Sequence, residues 1–362
     1  MEESVQQSVS FDKVIAALLD NEHPFPAVHW HRFSDISVTD LQKLEKIWLE
    51  VNPDRRTSLL EDLENLVDSD TLVSFEDVGR FALNDPDPRV REVALRLLWE
   101  SEDSSLIQKM LQMLDHDPAE SVRAAAATAL GQFVYLGELE EIAETQLHRI
   151  EDKLLGITTT TSEPKLVRRR ALEALGFSSR SEIKPLIVAA YNNNDREWLV
   201  SALFAMGRSA NSTWIPSVLD MLDADDEDVL LEVVRAAGEL EAHSARRPLL
   251  KLIKNQPEGS EIRMAAIWAL SKIGGEKVRD TFEKLLEESE DDEELDILDE
   301  ALENLEFTEG FNKFGLVEVE PENEEEIIAH AESDGWIENA EDEDEDDEQV
   351  ETDDEDDDDS DS

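Results

Sequence analysis

Three histidines near the start of the chain are the residues whose type and spacing first suggest chemistry. His23, His29 and His31 surround Pro24, Pro26 and Trp30. On a strand His29 and His31 would point the same way, and a zinc or nickel ion accepts imidazole. A closed site needs further fixed ligands, and none stands at a set spacing from this pair. The prolines favour a loose surface segment, so no metal ligand is assigned. The chain has no cysteine, which removes thiolate zinc sites, cysteine nucleophiles and disulfides together. Gly274-Gly275-Glu276 lacks the Gly-Lys-Ser/Thr ending of a phosphate loop and reads as a turn. Among 90 Asp and Glu residues, carboxylate pairs at catalytic separation arise by chance. No catalytic residue, metal or cofactor is read from the sequence.

Charge narrows the classes of partner. The 362 residues carry 33 Lys and Arg against 90 Asp and Glu, a formal net charge of -57. From Phe314 onward there are 26 acidic residues and no Lys or Arg, which leaves 64 acids against 33 bases before that point. The body is therefore acidic as well as the tail. Affinity for nucleic acid comes mainly from Lys and Arg displacing condensed counterions, so direct nucleic-acid binding is not expected. A protein or basic peptide is the electrostatically favoured partner, and solubility in high salt is a second use of the same charge. Met1-Glu2-Glu3-Ser4 has no basic or apolar leader character, and no run of about 18 apolar residues occurs. Secretion and membrane binding are not expected; a cytoplasmic location is.

The elements that would position any site repeat along the chain. An alanine-rich helix recurs with starts at Val90, Val122, Val167, Trp198, Val229, Ile262 and, most degenerately, Glu294. Its fifth, eighth and ninth positions are small or apolar, as in Ala126, Ala129 and Leu130, which marks one helix face. Apolar periodicity just upstream, at 106–114, 183–190, 215–222, 247–253 and 278–286, supplies a first helix for each pair. Asp85-Pro86-Asp87-Pro88 and Asp117-Pro118 suit helix starts. Gly131, Gly176, Gly207 and Gly238 suit left-handed helix ends. One repeat interval is longer, and Gly156-Ile-Thr-Thr-Thr-Thr-Ser162 within it reads as a protruding loop. Thr39-Asp-Leu-Gln42 reads as a capping box in the upstream helices.

The pattern Asp-x-x-x-x-Val-Arg-x-x-Ala-x-x-Ala-Leu-Gly at 117–131 resembles a HEAT repeat, and more narrowly the short bacterial HEAT-like repeats associated with phycobilisome lyases. The resemblance covers roughly 85–305. It implies an all-α, right-handed superhelical α-solenoid of HEAT-like helical hairpins of the armadillo type. The expected organisation is an N-terminal segment at 1–33, a helical cap at 34–84 and a solenoid at 85–310. A linker with a short helix at 324–331 would follow at 311–340. Of the last 22 residues, 341–362, 17 are acidic, and such a block is expected to be disordered. Relatives with HEAT-like repeats include hydroxylases that hold iron through adjacent His-Glu pairs. No such pair occurs here: His116, His148 and His243 stand singly, so those ligands carry over to no position. Bilin attachment uses a cysteine of the substrate, so the missing cysteine decides nothing about a lyase.

Two sets of positions remain. Arg91, Arg123, Arg168 and Arg263 follow the repeat starts; they could form a row for an anion, but a ladder of bonds within and between repeats is favoured. The third and seventh positions lie four apart on the face opposite the alanines, which in such a solenoid lines the concave groove. They are polar or small early, at Glu92, Arg96, Ala124, Thr128, Arg169 and Glu173, and apolar later. Val200, Phe204, Leu231, Met264 and Trp268 would form a partner-binding stripe, with Arg235 at its margin. The expected function is a non-catalytic protein–protein interaction scaffold holding a protein segment in this groove. The alternatives are a distant lyase or hydroxylase-type enzyme, or a chaperone for basic proteins carried by the acidic tail.

Overall fold

Residues 10–313 are described in a computed structural model, without the side chains of Asp68 and 308–313. The expected short helix at 324–331 and the acidic tail lie outside these residues. Three helices come first: α1 (Phe11–Leu19), α2 (Val38–Ile47) and α3 (Pro53–Ser69). Hairpins follow as α4 (Glu76–Ala82) with α5 (Pro88–Leu97), α6 (Leu106–His116) with α7 (Glu120–Glu138), and α8 (Glu144–Thr159) with α9 (Lys165–Ala174). The series continues as α10 (Ile183–Tyr191) with α11 (Arg196–Arg208), α12 (Ile215–Leu219) with α13 (Glu227–Glu239), α14 (Arg246–Asn255) with α15 (Glu261–Ile273), and α16 (Val278–Glu288) with α17 (Asp292–Lys313). The described residues contain no strand. The architecture is the all-α solenoid of helical hairpins.

Two layers result. Each second helix packs on the next, from α3 through α5, α7, α9, α11, α13 and α15 to α17. The first helices cover one side of that row and leave the other open. The core runs continuously along the seam, from Phe11 and Leu44 through Leu130, Leu172 and Val233 to Leu270 and Leu305. Alanines at the fifth and eighth positions are fully buried, among them Ala126, Ala171, Ala202, Ala205, Ala236 and Ala266. Short side chains there let neighbouring helix backbones approach, so packing is close along the whole row.

Helix starts are fixed by side-chain oxygens. Asp87, Asp195 and Asp226 accept backbone N–H groups at the starts of α5, α11 and α13, at 2.9, 3.0 and 3.1 Å, and Ser260 does so for α15. Each satisfies an otherwise orphaned donor. At the N-terminal end, Asp85 is buried and receives the Trp48 indole N–H at 2.6 Å, with Arg56 at 3.2 Å. That carboxylate ties the upstream helices to the first hairpin.

Three local expectations are corrected. The cap of α2 is Ser37, whose hydroxyl accepts the Asp40 N–H at 3.2 Å, two residues before the proposed Thr39 box. The threonine segment is mostly helix: α8 runs through Thr159, and Thr158 and Thr159 donate to the carbonyls of Leu154 and Leu155. Threonine hydroxyls find their partners one turn back and so do not break the helix. The glycines at 131, 176, 207 and 238 do not adopt left-handed geometry. They serve close approach instead, because a Cβ on Gly131, Gly176, Gly207 or Gly238 would meet the Cα of Ala174, Ala205, Ala236 or Ala269 at 3.2, 2.9, 3.1 and 2.8 Å. The tenth position of one repeat thus packs on the eighth of the next.

Candidate functional site

The arginine row is a ladder. Arg91 donates twice to Asp117 of the next repeat, each at 2.8 Å, and once to the Asp85 carbonyl. Arg123 lies 3.3 Å from Glu163, and Arg263 donates to the buried Glu294 at 2.6 Å. Arg168 bonds the Thr158 carbonyl at 3.0 Å and stacks over Trp198. The planar Arg91 guanidinium suits its two-pronged contact, and Arg91, Arg123 and Arg263 each join one hairpin to the next. These arginines are occupied by the fold.

The open face of the second-helix layer changes along its length. Near the start Arg96 bridges α5 to α3 through two bonds of 2.8 Å to Glu64. In the middle Arg169 and Glu173 are buried around Ser201: Arg169 donates to its hydroxyl at 2.8 Å, and that hydroxyl donates to Glu173 at 2.6 Å. Arg169 also reaches Glu197, and Arg170 reaches Glu173. A satisfied network of this kind fixes α9 against α11 and leaves little free polarity.

Beyond it come the five stripe residues, of which the structure brings Met264 and Trp268 together around one hollow. Val200, Leu231 and Met264 are half-buried, and Trp268 is 40% exposed. Phe204 is half-buried but not bare, because the Arg208 guanidinium lies 4.4 Å from its ring centroid and 4.6 Å from that of Phe177. Cation–π stacking on two rings holds this desolvated cation in place. Desolvation lowers the Arg208 pKa from its usual value, while Glu173, Glu239 and Glu232 oppose that shift. Glu232, one helix on, is buried, and loss of solvation pushes its carboxyl up to about 7. The stripe is therefore apolar at both ends and carries a stacked cation beside a buried acid in its middle. Arg208 stands four residues after Phe204, and extending the seventh-position count by one turn would have found it.

Met264 and Trp268 border a depression of about 250 Å³ that crosses α13, α15 and α17. Arg235, Glu239, Glu261 and Lys272 form its polar rim, and Ala265 and Ile297 contribute apolar wall. Arg235 donates to Glu261 at 2.9 Å and Lys272 to Glu239 at 2.8 Å, so the rim charges pair across adjacent repeats. The arrangement offers an exposed indole in an apolar hollow with a neutralised edge. It can seat an apolar side chain, and it holds no nucleophile with an adjacent base.

The histidine cluster adopts a different form from the one considered. His29 and His31 lie on a 3-10 helix, Ala27–Phe33, where residues two apart point in different directions. The His29 ring packs near Phe25, and His23 pairs with Asp20 at 2.8 Å. Among the described residues no group of three or more His, Asp and Glu is disposed to hold a metal ion. No helix among them is long and apolar enough to cross a membrane.

The HEAT-repeat family matches residues 79–144 and 215–303. A stretch of 155 residues is 20% identical to a HEAT repeat-containing taxis protein of Halobacterium salinarum, covering 43% of this chain and 36% of that protein. The chain therefore spans about a third of that relative's length. Among solved structures, YibA of Escherichia coli aligns with a TM-score of 0.39 and 14% identity, over 79% of this chain and 98% of that one. Importin beta aligns with a TM-score of 0.35 and 15% identity, over 82% of this chain and 41% of that one.

Proposed function

We propose that this chain, a HEAT-repeat protein, is a non-catalytic interaction scaffold that holds a segment of a partner protein on the open face of its second-helix layer. The observation that carries the reading is the exposed Trp268 beside Met264 in a hollow spanning three repeats, α13, α15 and α17. Exposed tryptophan in a shaped apolar recess is the kind of residue that dominates binding energy when covered. Phe204, Val200 and Leu231 extend the contact toward α11, and the Arg208 stack gives it a polar centre. The surrounding acidic surface favours a basic amphipathic segment, with packing supplying affinity and charge supplying steering. Nucleic acid is disfavoured by the same charge. Taxis, named for the Halobacterium salinarum relative, supplies the first set of candidate partners.

The test is capture from native lysate by the intact chain, by a chain ending at residue 340 and by the double variant Phe204→Asp with Trp268→Asp, at moderate salt. The expected result is one discrete partner retained by the first two and lost by the third, whose helicity by circular dichroism is unchanged. Capture undiminished in the double variant sinks the groove. A set of basic proteins lost together with the tail or with salt assigns binding to the polyanionic tail instead.

A further inference from the structure

The other face of the molecule carries a feature that the groove does not use. Arg246, Arg247, Leu250, Lys251 and Lys254 of α14 meet Glu276 and Lys277 of the α15–α16 turn around a hollow of about 320 Å³. Five cations line it against a single carboxylate. Arg247, Lys251 and Lys254 fall at i, i+4 and i+7, on one exposed face of the helix. Among the described residues no side chain of the five makes an ion pair or hydrogen bond. Elsewhere the fold supplies carboxylates freely, as at Arg91, Arg96, Arg180, Arg196 and Arg263.

Backbone geometry holds the two sides of this seam together. Gly275 has φ +97, and a Cβ there would lie 1.9 Å from an Arg246 guanidinium nitrogen, so the absent side chain lets Arg246 lie on the turn. Lys277 follows in the left-handed region at φ +69. Next to the seam a second hollow shares Lys254 and Lys277 and adds Glu258, Asp280 and Glu288 together with Arg263 and Lys284, whose charges are paired with Glu294 and Glu288. Five like charges around one hollow repel one another, and an anionic chain laid along α14 relieves that repulsion.

We propose that the acidic segment 341–362 of this same chain docks along the α14–α16 seam. Its 17 carboxylates are complementary to the five unpaired cations. The described chain ends in α17, which packs against α16, the helix that borders the seam. The 27 residues from 314 to 340 span up to about 90 Å when extended, so the segment reaches without strain. Tethering makes the encounter intramolecular, which favours it over a free polyanion of equal charge. Docking here covers the first-helix layer and leaves the Trp268 hollow open.

The experiment uses the full chain. A carbodiimide joins lysine amines to carboxylates at zero length, and mass spectrometry of the monomeric product locates the links. Links from 341–362 should fall on Lys251, Lys254 and Lys277 at least about fivefold more often than on the exposed Lys46 and Lys184. Because the chain has no cysteine, a dye on Ser362→Cys reports the tail alone. Its anisotropy should fall at about 1 M salt, where the Debye length is roughly 3 Å. It should fall equally in the charge-reversed variant Arg247→Glu, Lys251→Glu, Lys254→Glu. Links spread evenly over all lysines, or found only in covalent dimers, overturn the proposal. So does a dye anisotropy that charge reversal leaves unchanged.

Discussion

Glu232 is a buried acid whose carboxyl is pushed up to about 7 by lost solvation, against 4.5 for the free side chain. Between these values the folded state holds a proton that the unfolded chain has released, so stability falls as pH rises from about 4.5 to about 7. A glutamine at this position imitates the protonated acid. Glu232→Gln should therefore match the parent in urea unfolding at pH 5 and exceed it at pH 8 by an amount of order 2 kcal/mol. An equal midpoint at both values would show that the carboxylate is already solvated in the folded chain. The same residue marks where the candidate site became illegible in sequence. Positions three and seven of each second helix can be counted, so Val200, Phe204, Leu231, Met264 and Trp268 could be placed on one face. Counting places Arg208 one turn beyond Phe204 but does not show that it stacks there, because half of its seat is Phe177 from the preceding repeat. Nor does it show that Arg169, Glu173 and Ser201 close into a buried network, since the link crosses from α9 to α11.

Between helices, the described glycines divide into those that meet a neighbour and one that does not. A Cβ on Gly238 would stand 2.8 Å from both Cα and Cβ of Ala269, a clash that only separation of α13 from α15 relieves. Added helix propensity returns at most about 1 kcal/mol, and overpacking costs about 1–3 kcal/mol, so Gly238→Ala should be destabilising. Gly156 lies inside α8 with nothing within 4 Å of its Cβ position. Gly156→Ala should therefore stabilise by about 0.5–1 kcal/mol. Thermal unfolding of the two variants checks the opposite signs, and a shared sign would refute the close-approach account of these positions. The helical hairpins were legible because alanine spacing and apolar periodicity are local signals, and 106–114, 183–190 and 278–286 all fall within observed helices. The role of Gly131, Gly176, Gly207 and Gly238 was not. A glycine at the end of an alanine run fits a left-handed cap and a close approach alike, and only the neighbouring repeat distinguishes them. The segment at 156–162 misled for a related reason, since threonine runs suggest loops until their hydroxyls are seen bonding back along α8.

Across the whole molecule, net charge and paired charge act in opposite directions. The inter-repeat ion pairs are screened by salt, and each exposed pair contributes only about 0–1 kcal/mol. Repulsion acts on a much larger number of groups, since the stretch before residue 314 alone has 64 acids for 33 bases. Arg91 with Asp117 and Arg263 with Glu294 are enclosed inter-repeat contacts, and enclosed pairs are screened least. Salt should thus remove more repulsion than attraction. The thermal midpoint is expected to rise by several degrees, roughly 5 °C, between about 10 mM and 0.5 M sodium chloride, with no comparable rise in an uncharged osmolyte of matched osmolality. A midpoint that falls with salt would mean that the ladder outweighs the field of the whole chain. Removing 341–362 separates the contributions further. If those carboxylates rest on the α14–α16 seam, their loss leaves Arg246, Arg247, Lys251, Lys254 and Lys277 uncompensated. The midpoint then drops at low salt despite the smaller net charge, and it converges on that of the intact chain as salt screens both.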